Sequence, residues 1–261
     1  MELSKSLHIF LFLLLSFVSA HRNRIIGGEE CPDNNHSWLT LLYDSDQLLC
    51  SGMLINPDWV LTAAHCYIRG NIQVRLGAHN KDDYEQLRVS TLKKCPGVEN
   101  CLCFTDDIML IKLNSSADMT ERVSIIDLPS SCSPVGTDCT VMGWGTTTTP
   151  EETYPNVPYC VNITIFDNRV CQAAYPWEVN DNMFCAGYFD GGKDSCRGDS
   201  GGPLLCVGGG LQGVVSLGGF PCAQPGDPGI YIKICKFLDW IRTTIEENTF
   251  KSGACEDGIY Q

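Results

Sequence analysis

Apolar positions fall in short runs along this chain, each stopped by turn-forming residues. Trp38 to Tyr43, Gln73 to Leu76, Ile108 to Leu113, Cys139 to Trp144, Gly213 to Leu217 and Gly229 to Ile234 are such runs. Short strands between turn signals predict an all-β domain. A second period appears near the end. Phe237, Leu238, Trp240, Ile241 and Ile245 recur at helical spacing and predict a core-packed helix over Lys236 to Glu247. No internal repeat is present, and the Thr146 to Thr149 run reads as a loop. The N-terminus differs from the rest. Lys5 precedes an apolar run from Leu7 to Val18, and Val18-Ser19-Ala20 has the small residues of a cleavage site. The run is too short to span a bilayer, so residues 1–20 are expected to be a cleaved secretory signal.

Composition narrows the class. The 261 residues are 44% hydrophobic and 19% charged, ordinary for one large globular domain or two small ones. Sixteen cysteines, none in the leader, predict an oxidising, extracellular destination. Asn35, Asn114 and Asn162 open Asn-x-Ser/Thr sequons, each a candidate glycan site. Formal net charge is −13; the first 24 residues carry Lys5, Arg22 and Arg24 against Glu2, so the chain from Ile25 carries −15. An acidic surface argues against nucleic acid and anionic membranes as partners, and suits cationic substrates. The five histidines are scattered and cysteine pairing accounts for the thiols, so neither a metal cluster nor a cofactor is expected.

Three local runs carry chemistry. In Gly198-Asp199-Ser200-Gly201-Gly202-Pro203 a serine sits among glycines, which allow tight turns and close approach to the main chain. Backbone N–H groups of such a turn can form an oxyanion hole. Leu61-Thr62-Ala63-Ala64-His65-Cys66 places a histidine among small residues, and Asp107 heads the apolar run Ile108 to Leu113. In the order His65, Asp107, Ser200 these runs resemble the chymotrypsin–trypsin family of serine endopeptidases.

The resemblance covers Ile25 to about residue 249. It implies two six-stranded antiparallel β-barrels, a cleft between them and a C-terminal helix. The first barrel would run to about residue 125, with the crossover over Glu121 to Ser131, and residues 250–261 would form a tail. His65 would be the base, Asp107 its orienting partner, Ser200 the nucleophile, and the N–H groups of Gly198 and Ser200 the oxyanion hole. Residues 21–24 would be an activation peptide cut after Arg24, and the new Ile25 ammonium would pair with Asp199. Asp194, at the base of a pocket with Ser195 and with Gly218 and Gly229 as walls, would select Arg or Lys before the cut bond. Implied disulfides are Cys31–Cys160, Cys50–Cys66, Cys132–Cys235, Cys139–Cys206, Cys171–Cys185 and Cys196–Cys222.

Some residues depart from trypsin. Ala78 stands where trypsin's calcium loop opens with a glutamate, which removes an oxygen ligand. Leu217 replaces a tryptophan, Phe104 sits three residues before Asp107, and Arg197 occupies a rim position that is usually neutral. A cysteine twelve residues before the aspartate and another in a C-terminal extension resemble reptile venom serine proteases, which implies Cys95–Cys255. Cys101 and Cys103 are left unassigned. The segments Thr153 to Cys160 and Gly218 to Pro225 are also similar to the venom group. The expectation is a secreted, monomeric, glycosylated, kallikrein-like venom endopeptidase. It would be switched on by an activating protease, would act on plasma proteins such as fibrinogen or kininogen after Arg or Lys, and would meet protein inhibitors. A digestive trypsin and a catalytically silent protease-like binding protein are the alternatives.

Overall fold

The structure is a computed structural model. It describes residues 25–33, 35–98, 101, 106–176, 179–208 and 210–253. The expected signal, the activation peptide with Arg24, Phe104, Cys103 and Cys255 lie outside the described residues.

The short strand β1 (Glu29–Glu30) precedes two barrels. The first is built from β2 (Leu39–Asp44), β3 (Gln47–Asn56), β4 (Trp59–Thr62), β5 (Gln73–Leu76), β6 (Gln86–Lys94) and β7 (Met109–Leu113). It closes in the order β2-β3-β4-β7-β6-β5. The second comprises β8 (Asp138–Gly143), β9 (Tyr159–Ile165), β10 (Met183–Gly187), β11 (Pro203–Cys206), β12 (Gly210–Leu217) and β13 (Gly229–Lys233). It runs β9-β10-β13-β12-β11-β8, and six β8–β9 residue pairs close it. Every strand pair is antiparallel. Closure removes the sheet edges that would otherwise invite pairing with other chains.

Alternation explains the second barrel. Along β9, Tyr159, Val161, Ile163 and Ile165 turn inward while Asn162 is exposed. The inward set packs with Val141, Phe184, Leu204 and Tyr231, and Ile25 completes that core at 0% exposure. The first barrel fills with Met53, Leu54, Trp59, Leu61, Leu110 and Ile111. Residues 114–137 cross between the barrels; Ser124 N donates to Ser37 O and Ile126 N to Leu54 O, pinning the crossover to the first.

Helix α1 (Asn168–Ala174) starts at Asp167, whose side chain accepts from Arg169 N at 2.9 Å. An aspartate there satisfies a backbone donor that the first turn leaves unpaired. Helix α2 (Leu238–Gly253) runs further than the apolar spacing predicted. Ile241 is fully buried in the first core cluster, and Lys112 Nζ donates to Asn248 O at 2.8 Å, tying the helix to β7. No helix among the described residues is long and apolar enough to cross a membrane.

Six disulfides join the pairs implied above: Cys31–Cys160, Cys50–Cys66, Cys132–Cys235, Cys139–Cys206, Cys171–Cys185 and Cys196–Cys222. The Cys95–Cys255 expectation is corrected. Cys95 bonds Cys101, with Cα atoms 5.4 Å apart. The cause is local: Cys95 bridges Val98 in a tight antiparallel turn, and Gly97 supplies the positive φ that the turn needs. The chain therefore returns within disulfide reach after six residues. So short a loop lowers denatured-state entropy less than a long one, corresponding to about 2 kcal/mol. Non-reducing peptide mapping should recover a Cys95–Cys101 peptide, and replacing both by alanine should cost about that much stability. A recovered Cys95–Cys255 peptide would restore the first expectation.

Candidate active site

His65 lies in a 3-10 turn, Ala64–Cys66, directly after β4, and the Cys50–Cys66 disulfide anchors that turn to β3. Asp107 precedes β7, which pairs with β4, so adjacent strands deliver both residues to one end of the barrel. Asp107 Oδ1 accepts from His65 N at 2.8 Å, and Oδ2 lies 2.7 Å from His65 Nδ1. Ser216 Oγ donates to the same Oδ2 at 2.5 Å. Asp107 is buried. Burial alone would raise its carboxyl; the hydrogen bonds and charge of His65, with the bond from Ser216, outweigh it and hold the group below the usual carboxylate range. The ionised carboxylate fixes the Nδ1–H tautomer and leaves the Nε2 lone pair for proton transfer.

The Ser200 loop is pressed against the first barrel. Ser51 N, on β3, donates to Ser200 O at 2.8 Å. Gly201 has φ +75°, and a Cβ there would fall 2.1 Å from Thr62 Oγ1 and 2.4 Å from Ser51 O. Only glycine permits that approach, which holds the serine loop against the strands that lead to His65. His65 and Ser200 line one cleft of about 270 Å³ with Arg197, Ser216, Leu217 and Gly218.

Asp194 is almost fully buried, and its Oδ1 has no hydrogen-bond partner. Burial raises its carboxyl well above the ordinary range; the charges of Asp199 and Asp227 push the same way, against the N–H groups of Ser195 and Ala223. A Cβ at Gly229 would sit 2.7 Å from Oδ1, and one at Gly218 would approach Gly229 Cα at 4.0 Å. The two glycines thus face each other beside the carboxylate. Ser195 Oγ lies 3.0 Å from Tyr231 OH.

Asp199 is fully buried. It accepts from Gly145 N at 2.8 Å and from Cys196 N at 2.9 Å. Burial, opposed by those two bonds, pushes its carboxyl up to about 7. Gly143 and Gly145 are glycines because a Cβ at either would strike the carboxylate at 2.4 Å. The N-terminal segment lies against Asp194, whose N donates to Ile26 O at 3.1 Å.

Several features were not read from the sequence. Ser216, 109 residues from Asp107, sits in a run legible only as a strand. Tyr175 OH donates to Asp227 and accepts from Gly219 N at 3.1 Å, bracing the pocket wall. Arg197, the cation at a rim position that is usually neutral, does not stand alone. Its Nη1 lies 2.8 Å from Glu152 Oε1, and the guanidinium stacks 4.2 Å over the Phe220 ring. A paired arginine attracts substrate carboxylates less. Glu152→Gln should therefore raise selectivity for acidic residues after the cut bond by about two- to five-fold, fading with salt. A library profile at two ionic strengths reads this; no change would leave Arg197 without a part in selectivity. Asn35, Asn114 and Asn162 are all exposed.

The trypsin family model matches residues 25–241. Snake venom serine protease NaSP of Naja atra is 52% identical over 228 residues, covering 86% of this chain and 80% of that protein. Alpha- and beta-fibrinogenase OhS1 of Ophiophagus hannah is 49% identical, with 95% and 96% covered. Venom plasminogen activator TSV-PA of Trimeresurus stejnegeri is 45% identical, with 98% and 99% covered. Among solved structures, neuropsin, a serine protease expressed in the limbic system of mouse brain, superposes with a TM-score of 0.78 at 40% identity, covering 84% of this chain and 98% of that one. The chain belongs to the trypsin family and is a serine endopeptidase similar to the snake venom serine proteases.

Proposed function

We propose that this endopeptidase is secreted, is activated by cleavage after Arg24, and cuts proteins after Arg or Lys. The observation that carries the specificity is Asp194: a buried carboxylate oxygen without a partner, beside two facing glycines. A buried charge without a partner is costly, and a substrate guanidinium or ammonium relieves it. His65 takes the proton of Ser200 as it attacks the carbonyl and returns it to the leaving amine. Asp107 holds the imidazole and stabilises the imidazolium. The N–H groups of Gly198 and Ser200 bind the developing oxyanion, each donor worth about 2.7–4 kcal/mol. Relatives bear the names fibrinogenase and plasminogen activator, which supports plasma proteins as substrates. Hydrolysis of Arg and Lys esters by the cut protein, with none of aromatic esters, is the expected result; the reverse preference would refute the pocket assignment.

Asp199 supplies the activation logic. In the uncut chain its carboxyl stands near 7. A rise from 3.8 to about 7 amounts to roughly 4 kcal/mol against the ionised form. Cleavage after Arg24 creates an ammonium on Ile25, already buried in the second core, to balance that charge. The sign follows from linkage. With the folded value raised, the unfolded chain releases its proton first, so the uncut protein loses stability as pH rises from about 4 to about 7. Melting of uncut Arg24→Gln/Ser200→Ala against cut Ser200→Ala across that range should show a steeper decline in the uncut form, the contribution of Asp194 being common to both. Equal slopes would contradict the pairing.

A further inference from the structure

Two histidines 43 residues apart meet on the outside of the first barrel. His36 lies in the loop before β2 and His79 in the loop after β5. His36 Nε2 is 2.9 Å from His79 Nδ1, with the rings stacked at 5.2 Å and 13°. Asp33 Oδ1 is 3.4 Å from the same His79 Nδ1. All three ligand atoms lie within 4.8 Å of one another, at a cleft of about 110 Å³. On the far side of the ring, His79 Nε2 is 3.2 Å from Glu30 Oε1.

From these distances we infer that Asp33, His36 and His79 form a binding site for a divalent transition metal such as Zn²⁺. Tetrahedral zinc with nitrogen and oxygen ligands at about 2.0–2.1 Å sets neighbouring ligand atoms about 3.3–3.4 Å apart. The 3.4 Å edge already fits, and the 2.9 Å edge needs to open by about half an ångström. The adjoining cleft leaves room for water to complete the set. His79 explains the choice of nitrogen. Its Nδ1 faces another imidazole and a carboxylate, and its Nε2 faces Glu30. Binding a metal through Nδ1 leaves Nε2–H to donate to Glu30, the carboxylate–histidine–metal arrangement that fixes ring orientation and raises basicity. Two imidazoles and one carboxylate suit zinc over calcium or magnesium, which prefer oxygen throughout. A second grouping of potential ligands among the described residues, Cys50, His65 and Cys66, offers no thiolate, because its two sulfurs form a disulfide.

The site joins three segments. Asp33 and His36 lie in the chain between β1 and β2, His79 follows β5, and Trp144 Nε1 donates to His79 O at 3.2 Å. A bound metal should therefore raise thermal stability. The test is calorimetric titration of the mature protein with ZnCl₂, paired with Co²⁺ absorption as a report of tetrahedral geometry. One ion per chain is expected. His79→Gln should weaken binding more than about 100-fold, and Glu30→Gln by about 10- to 100-fold. His36 is buried, so His36→Gln is read only beside a circular dichroism spectrum; His79→Gln and Glu30→Gln change partly exposed side chains and carry the test. His65→Ala should retain the binding. Unaltered zinc affinity in His79→Gln, its loss in His65→Ala, or no binding at millimolar zinc would overturn the assignment.

Discussion

Replacing Ser200 or His65 by alanine should each lower turnover by about a million-fold, and the double replacement should be worse by no more than about ten-fold. The reason is the geometry at Asp107. Its two oxygens take three bonds, from His65 N, His65 Nδ1 and Ser216 Oγ, so the imidazole has one orientation and one tautomer. A base so fixed matters only if the serine is present to be deprotonated, and the serine is a weak nucleophile without the base. Independent contributions would multiply in the double variant; groups acting in one proton transfer do not. Rates of an Arg ester with the four purified proteins decide it. A double variant thousands of times slower than either single one would break the unit. Ser216→Ala should act more mildly, by lowering the fraction of correctly held imidazole.

Asp194→Ser should lower kcat/KM for Arg and Lys substrates by about 30- to 5,000-fold while leaving the fold intact. Removing one member of a buried charge pair typically costs 2–5 kcal/mol, which corresponds to that range. The pocket itself should survive, because Gly218 and Gly229 present backbone, Tyr175 braces Gly219 beside them and Tyr231 holds Ser195. The loss of an uncompensated buried carboxylate should also stabilise the unliganded enzyme, since Asp194 Oδ1 has no partner there. Higher stability together with lost Arg preference is the expected signature. Lower stability with unchanged preference would make Asp194 a structural residue.

The sequence was most legible where chemistry is local. His65, Asp107 and Ser200 each sit in a run of small or apolar residues whose spacing announces a turn or strand end. Two strands outside the predicted runs lacked contrast. β3 buries six consecutive residues, so it shows no alternation, and β6 carries charge along much of its length. Contacts between distant segments were out of reach. Ser216 meets Asp107 across 109 residues, Arg197 meets Glu152 across 45, and His36 meets His79 across 43. None of these pairs carries a spacing signal. Cys95 failed for the opposite reason: a partner in the tail was inferred by likeness, while a tight turn at Gly97 brought Cys101 within reach.

Cut at Arg24, the chain should cleave after cationic residues. The most direct measurement is a mass-spectrometric map of cleavage sites produced by that cut protein on a diverse peptide library, with Ser200→Ala as blank. Arg and Lys are expected before nearly every cut bond, with none of these cuts in the blank. Cuts after aromatic or small aliphatic residues, or cuts that persist without Ser200, would contradict this expectation.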